Sequence, residues 1–173
     1  MPKIKVLVSR EELKAKTEEL AKRITEDYRG KDLLLVGVLK GGFVFLADLA
    51  RAIDLPLSID FISVSSYGNS TVSSGVVRIL KDIDYDITGK HVLIVEDLID
   101  TGLTLTYLKD LFKAKHCASV KLCTILDKPS RRKVDLEVDY QGIIIPDEFV
   151  IGYGLDYKEH YRNLPDVCVI EEL

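Results

Sequence analysis

The run Val92-Leu93-Ile94-Val95, ending in the adjacent acids Glu96 and Asp97, constrains this chain more than any other stretch. Four apolar residues, three of them β-branched, read as a strand buried on both faces, the pattern of a parallel sheet covered by helices. Asp100 follows three residues after Asp97, and Thr101-Gly102-Leu103-Thr104 then opens a helix from about Leu103 to Phe112. Such a strand delivers acids and a glycine/hydroxyl turn to one edge of a sheet, which is the makeup of a site for a phosphorylated sugar. The acids can hold ribose hydroxyls or a metal, and backbone N–H groups at the helix start can cradle phosphate.

The rest of the chain repeats the strand–helix alternation. Ile4 to Val8 is a short strand, and Ser9 with Glu12 forms a capping box for a helix carrying Leu13, Thr17, Leu20 and Ile24, stopped at Gly30. Leu33 to Val38 is a near-continuous apolar strand, Lys40-Gly41-Gly42 a turn, and Phe43 to Ile53 a helix with Leu46, Leu49, Ala50 and Ile53 toward the sheet. Leu57 to Val64 alternates as a strand, Ser65 to Gly75 is a polar loop, and Val76 to Leu80 completes a hairpin-like excursion. Val120 to Leu126 and Gly142 to Ile145 are further strands. Strands alternating with helices imply parallel pairing through right-handed crossovers. The expectation is one α/β domain over residues 1–173, with no linker, repeat or low-complexity tract.

Composition sets outer bounds. A length of 173 residues supports one sizeable core, and 47% apolar with 30% charged residues is ordinary for a soluble protein. A net charge of −4 argues against a nucleic-acid partner, and Arg131-Arg132-Lys133 reads as a solvated loop. Cys117, Cys123 and Cys168 are odd in number and lack metal-ligand spacing; Cys123 and Cys168 read as buried free thiols of a reducing compartment. With no signal peptide and no bilayer-length apolar stretch, the expected location is cytoplasmic, without a membrane partner. His91, His116 and His160 have no zinc spacing and read as surface or edge residues.

The stretch 92–105 resembles the 5-phosphoribosyl diphosphate (PRPP) signature of type I phosphoribosyltransferases, in the form found in hypoxanthine and hypoxanthine-guanine phosphoribosyltransferases. The resemblance continues, in order, through Leu39-Lys40-Gly41-Gly42, Ser65-Ser66-Tyr67-Gly68, the region of Lys128, and Ile145 to Arg162. It implies a mostly parallel twisted sheet flanked by helices, with a small hood and a flexible flap loop. It also implies an enzyme that moves a phosphoribosyl group from PRPP to N9 of a 6-oxopurine, with Mg²⁺ as cofactor and a homodimer or homotetramer as assembly.

Residue by residue, the resemblance places Glu96 and Asp97 at the ribose hydroxyls and a first magnesium, with Asp156 at a second. Hard oxygen ligands suit that ion. Asp100 lies beside N7 of the base as the group exchanging a proton; its plainer reading is a helix cap. Thr101, Gly102 and Thr104 take the 5′-phosphate together with the backbone of Leu98, Ile99 and Leu103, where some relatives carry lysine in place of Leu103. Leu39, Lys40, Gly41 and Arg162 bind pyrophosphate, the peptide before Lys40 often being cis in the family. Ser65, Ser66, Tyr67 and Gly68 form the loop that closes over the site. Lys128 donates to the 6-oxo group, Phe149 stacks on the base, and Val150 bonds its far edge through the backbone. A PRPP-binding regulator on the same fold is the alternative, although no helix-turn-helix extension or basic stripe accompanies the signature. A phospho-accepting receiver domain is set aside because half the chain precedes the acidic pair.

Overall fold

The computed structural model describes residues 2–66 and 77–172. In chain order the elements are β1 Lys3–Val8, α1 Arg10–Asp27, β2 Leu33–Leu39, α2 Phe43–Ala52, β3 Ser58–Ser66, β4 Val77–Lys81, β5 His91–Ile99, α3 Leu103–Ala114, β6 Ser119–Asp127, a 3₁₀ turn Pro129–Arg131, β7 Tyr140–Ile144, β8 Val150–Ile151 and β9 Val167–Glu172. Six strands form the main sheet in the order β4-β3-β2-β5-β6-β7. Every pairing in it is parallel except β3 with β4.

Alternation along the central strands divides the core into two layers. Leu33, Leu35, Leu93, Val95, Cys123 and Ile125 pack toward α1 and α2, where Leu20, Ile24, Phe45 and Leu49 are buried. Leu34, Val36, Val92, Ile94 and Leu122 point the other way, onto Leu105, Leu108 and Phe112 of α3. This is why β2 and β5 read as unbroken apolar runs: each has a helical layer on both faces. The capping box at α1 forms as expected, with Glu12 N–H donating to Ser9 Oγ at 3.2 Å and Ser9 N–H donating back to Glu12 Oε1 at 3.3 Å.

Three sequence expectations change. The signature strand does not stop before its acids: β5 continues through Ile99, because β6 pairs with it as far as Ile99↔Asp127. Likewise Ser65 and Ser66 belong to β3, paired to Arg78 and Val77, rather than opening the loop. A second, three-stranded sheet, β1-β9-β8, joins the first strand to the C-terminal region and forms the hood. Its strands are short, and β1 lies more than 140 residues before β8 and β9, so local patterning carries no trace of that pairing. Tyr67 and Gly68 lie outside the described residues.

Because Phe45 is fully buried between α2 and the sheet, Phe45→Ala should cost about 3–5 kcal/mol of folding stability. Urea unfolding followed by far-UV circular dichroism measures it, and a loss below 1 kcal/mol would show that this layer is not tightly packed.

Candidate active site

All the parallel strands deliver their C-terminal ends to one edge of the sheet, where an open α/β sheet places its ligand crevice. There a cavity of about 400 Å³ is lined by Leu39, Gly41, Glu96 to Gly102, Thr104, Asp156 and Arg162, among others. Twelve of the positions singled out by sequence thus share one space, although they come from β2, β5, the start of α3 and the segment after β8. A larger cavity of about 700 Å³ lies between α1, α2 and residues 162–165. It shares only Arg162 with the crevice and holds none of the predicted acids, so the smaller one is the candidate site.

The acid pair lies in the C-terminal half of β5, ahead of Leu98 and Ile99. Burial pushes both carboxyls above their usual range, Glu96 well above it because the charge of Asp97 faces it. The hydrogen bond from Glu96 pulls Asp97 partly back, as do Leu98 N–H at 2.6 Å and the charge of Arg162. The upward shift is the larger at Glu96, where burial and the facing charge of Asp97 act in the same sense. Gly41 is required by this arrangement, since a Cβ there would collide with Asp97 Oδ2. The Leu39–Lys40 peptide is cis.

Two hard carboxylates facing one crevice fit a divalent cation shared with substrate oxygens. Among the described residues no group of three or more His, Cys, Asp or Glu stands together in a way that could hold a metal ion. Asp156 is engaged otherwise: Oδ1 pairs with Arg162 at 3.5 Å and Oδ2 accepts from Glu159 N–H at 2.8 Å.

The turn after β5 is built to offer donors. Gly102 caps α3 with φ +86°, a left-handed conformation that favours glycine. The carbonyl of Ile99 accepts from Lys128 N–H at 3.0 Å, that of Asp100 from Arg132 Nη1 at 2.9 Å, and that of Thr101 from Lys133 N–H at 3.0 Å. Gly102 O accepts from Thr106 N–H and Oγ1. Four successive carbonyls are committed inside the protein, so an arriving anion meets N–H groups and the hydroxyls of Thr101 and Thr104. Leu103 is the first helical residue, and its N–H donates to Thr101 Oγ1 at 3.4 Å. Asp100 is not the cap. Its Oδ1 pairs with Arg131 Nε at 2.5 Å, and Arg131 also reaches Asp147 at 3.3 Å.

Two cations stand where pyrophosphate was expected. Lys40 Nζ pairs with Glu159 Oε2 at 3.0 Å, while Arg162 donates to Gly154 O at 2.8 Å and touches Glu159 Oε1 at 3.4 Å. Arg162 Nε is buried with no partner among the described residues. Lys128, Phe149 and Val150 do not line the cavity itself. Lys128 is buried and bonded through its backbone to Ile99; Phe149 is 60% exposed with Tyr157 edge-on to it; Val150 is buried in β8 against Val169. Ser65 sits at the end of β3, across the sheet edge from the turn.

Sequence reasoning missed the polar supports. In Arg131-Arg132-Lys133 the two outer residues are exposed, as a solvated loop requires, but all three residues bond the turn and the Arg132 side chain is only 16% exposed. His91 lies at the start of a central strand, partly buried, with Nδ1 2.7 Å from Ser119 Oγ. Leu155, Val64 and Leu105 supply apolar cavity wall, a role the sequence reading gave to none of them. The one available clue was Asp127, an acid ending an apolar strand just as Glu96 and Asp97 do.

The comparisons with known proteins agree with this geometry. Residues 7–158 match the family described as the phosphoribosyl transferase domain. The chain is 53% identical over 167 residues to the hypoxanthine-guanine phosphoribosyltransferase of Bacillus subtilis, covering 96% of this chain and 93% of that one. It is 52% identical over 167 residues to the bifunctional protein TilS/HprT of Listeria monocytogenes, of which it spans only 26%. A crystal structure of a hypoxanthine-guanine phosphoribosyltransferase from Bacillus anthracis superposes with a TM-score of 0.94 at 53% identity, covering 98% of this chain and 99% of that one.

The raised acid pair makes a pH prediction. A carboxyl whose folded pKa lies above its unfolded value lowers stability once pH rises past the unfolded value, and has no effect below it. Glu96→Gln should therefore raise the melting temperature near neutral pH and leave it unchanged below about pH 4. A pH series of thermal melts tests this, and a destabilised variant at pH 7 would contradict the assignment.

Proposed function

The chain belongs to the phosphoribosyltransferase family, and on that premise we propose that it transfers the 5-phosphoribosyl group of PRPP to N9 of hypoxanthine or guanine. The products are IMP or GMP and pyrophosphate, the reaction of purine salvage. One observation carries the reading most: an acid pair, a turn whose carbonyls are committed inside the protein, and the Arg162 side chain line one crevice of about 400 Å³. Those are the complements of ribose hydroxyls, a phosphate monoester and a diphosphate.

The chain's own residues then divide the work. The turn 101–104 holds the 5′-phosphate and fixes the distance from that anchor to C1′. Glu96 and Asp97 hold the ribose diol. A divalent cation, with Mg²⁺ the proposed ion, would be held by Glu96 and Asp97, with Asp156 available to a second, and supplies charge neutralisation for the diphosphate. Arg162 and Lys40 receive pyrophosphate once Glu159 yields them, with the backbone of Leu39 and Gly41 closing that end. Asp100 exchanges a proton with N7 of the base; Arg131 engages only Oδ1, which leaves Oδ2 for that contact. Lys128, buried beside Ile99, donates to the 6-oxo group and disfavours the amino group of adenine. Phe149 offers an exposed ring for stacking, and Val150 its backbone. Ser65 and Ser66 at the end of β3, with Tyr67 and Gly68 following them in sequence, exclude water from the ribosyl centre during transfer. Three free cysteines fit the reducing cytoplasm as the place of work. No helix among the described residues is long and apolar enough to cross a membrane.

The test mixes the protein with PRPP, Mg²⁺ and hypoxanthine, guanine or adenine in turn, and follows nucleotide and pyrophosphate together. Both products with the two 6-oxopurines, and little with adenine, is the expected result. PRPP binding without release would instead identify a regulator. Asp100→Asn should lower turnover roughly 10²–10⁴-fold while PRPP still binds, and unchanged turnover would remove Asp100 from catalysis.

A further inference from the structure

Asp127 ends β6 fully buried. A buried carboxylate is tolerated only when its oxygens are satisfied, and here they are. Arg132 Nη2 lies 2.9 Å from Oδ1 and 3.0 Å from Oδ2, and Gln141 Nε2 of β7 donates to Oδ2 at 2.7 Å. The other terminal nitrogen of the same guanidinium, Nη1, donates to the carbonyl of Asp100 at 2.9 Å. The arginine therefore bridges a fixed charge in the sheet to the backbone of the turn.

The stem of this arginine adds a second contact. A Cβ placed on Gly102 would lie 3.1 Å from each of Arg132 Cδ, Val134 Cγ2 and Leu136 Cδ2. Residues 132–136 thus close against the glycine from behind. Of the four engaged carbonyls at 99–102, that of Asp100 is the only one whose partner comes from a side chain alone. Here the turn depends on one side chain rather than on backbone pairing.

We infer that Arg132, anchored on Asp127, is a positioning residue of the phosphoribosyl transfer: it sets the 100–102 turn so that the phosphate-binding amides and the Asp100 carboxylate face the crevice together. The inference rests on the proposed activity. Arg132 touches no reacting atom in this arrangement; it acts through the turn. Lysine cannot replace it, because one ammonium lacks the planar fork that spans carboxylate and carbonyl at once.

Steady-state kinetics of the wild type and of Arg132→Lys, Arg132→Gln and Asp127→Asn provide the test, with melting temperature measured alongside. Arg132→Lys keeps the charge beside Asp127 and stays folded. It should still lose roughly 10-fold to 100-fold in kcat/KM for PRPP, with the KM for hypoxanthine held within about twofold. Asp127→Asn should show the same substrate-selective loss. If Arg132→Lys matches the wild type toward PRPP, or the KM values of both substrates shift equally, Arg132 serves only folding and the inference fails. If the wild type itself releases no pyrophosphate, the proposed activity falls and takes the inference with it; wild-type turnover with unaffected variants overturns the inference alone.

Discussion

The site depends on how the carbonyls at the end of β5 are satisfied. A turn that leaves a buried sheet edge carries acceptors as well as donors, and an anion is repelled by the acceptors. Here the carbonyls of Ile99, Asp100, Thr101 and Gly102 all accept hydrogen bonds from the protein itself. The loop after β6 makes three of these bonds and the first turn of α3 makes the fourth. What the backbone of the turn presents to the crevice is then its N–H groups rather than its carbonyls, without a lysine in the turn. The loop that engages the carbonyls is held in turn by the pairing of β6 with β5 and β7.

The acids obey a complementary constraint. Glu96 and Asp97 are placed by a central strand whose two faces are both covered, so neither can move far to escape the other. Burial and the charge of Asp97 both favour the protonated form of Glu96, and burial does the same for Asp97. Glu159 relates in a similar way to Lys40 and Arg162, bridging two cations that would otherwise repel each other across the mouth of the crevice.

The fold was legible wherever burial imposes a period. The unbroken runs in β2 and β5, the heptad-like spacing of Leu13, Thr17, Leu20 and Ile24, and the capping box at Ser9 each follow from one local rule, and each appears in the structure. The hood sheet was not legible, because β1 and β9 are partners only through the closure of the whole chain. At the site, motif positions such as Gly41, Asp97 and Gly102 converge as the family resemblance implied. Arg131, Arg132 and Asp127 were hidden for a physical reason: a charge cluster looks solvated in sequence, and only the fold reveals that a buried carboxylate and a row of backbone carbonyls lie opposite it.

Amide chemical shifts during titration with inosine 5′-monophosphate examine the central claim most directly, since they report the backbone of the turn itself. The largest changes should fall on the N–H groups of Thr101, Gly102, Leu103 and Thr104. If those amides stay still while others move, for instance around Arg10 and Arg51 at the larger cavity, the turn is no phosphate cradle and the account is contradicted.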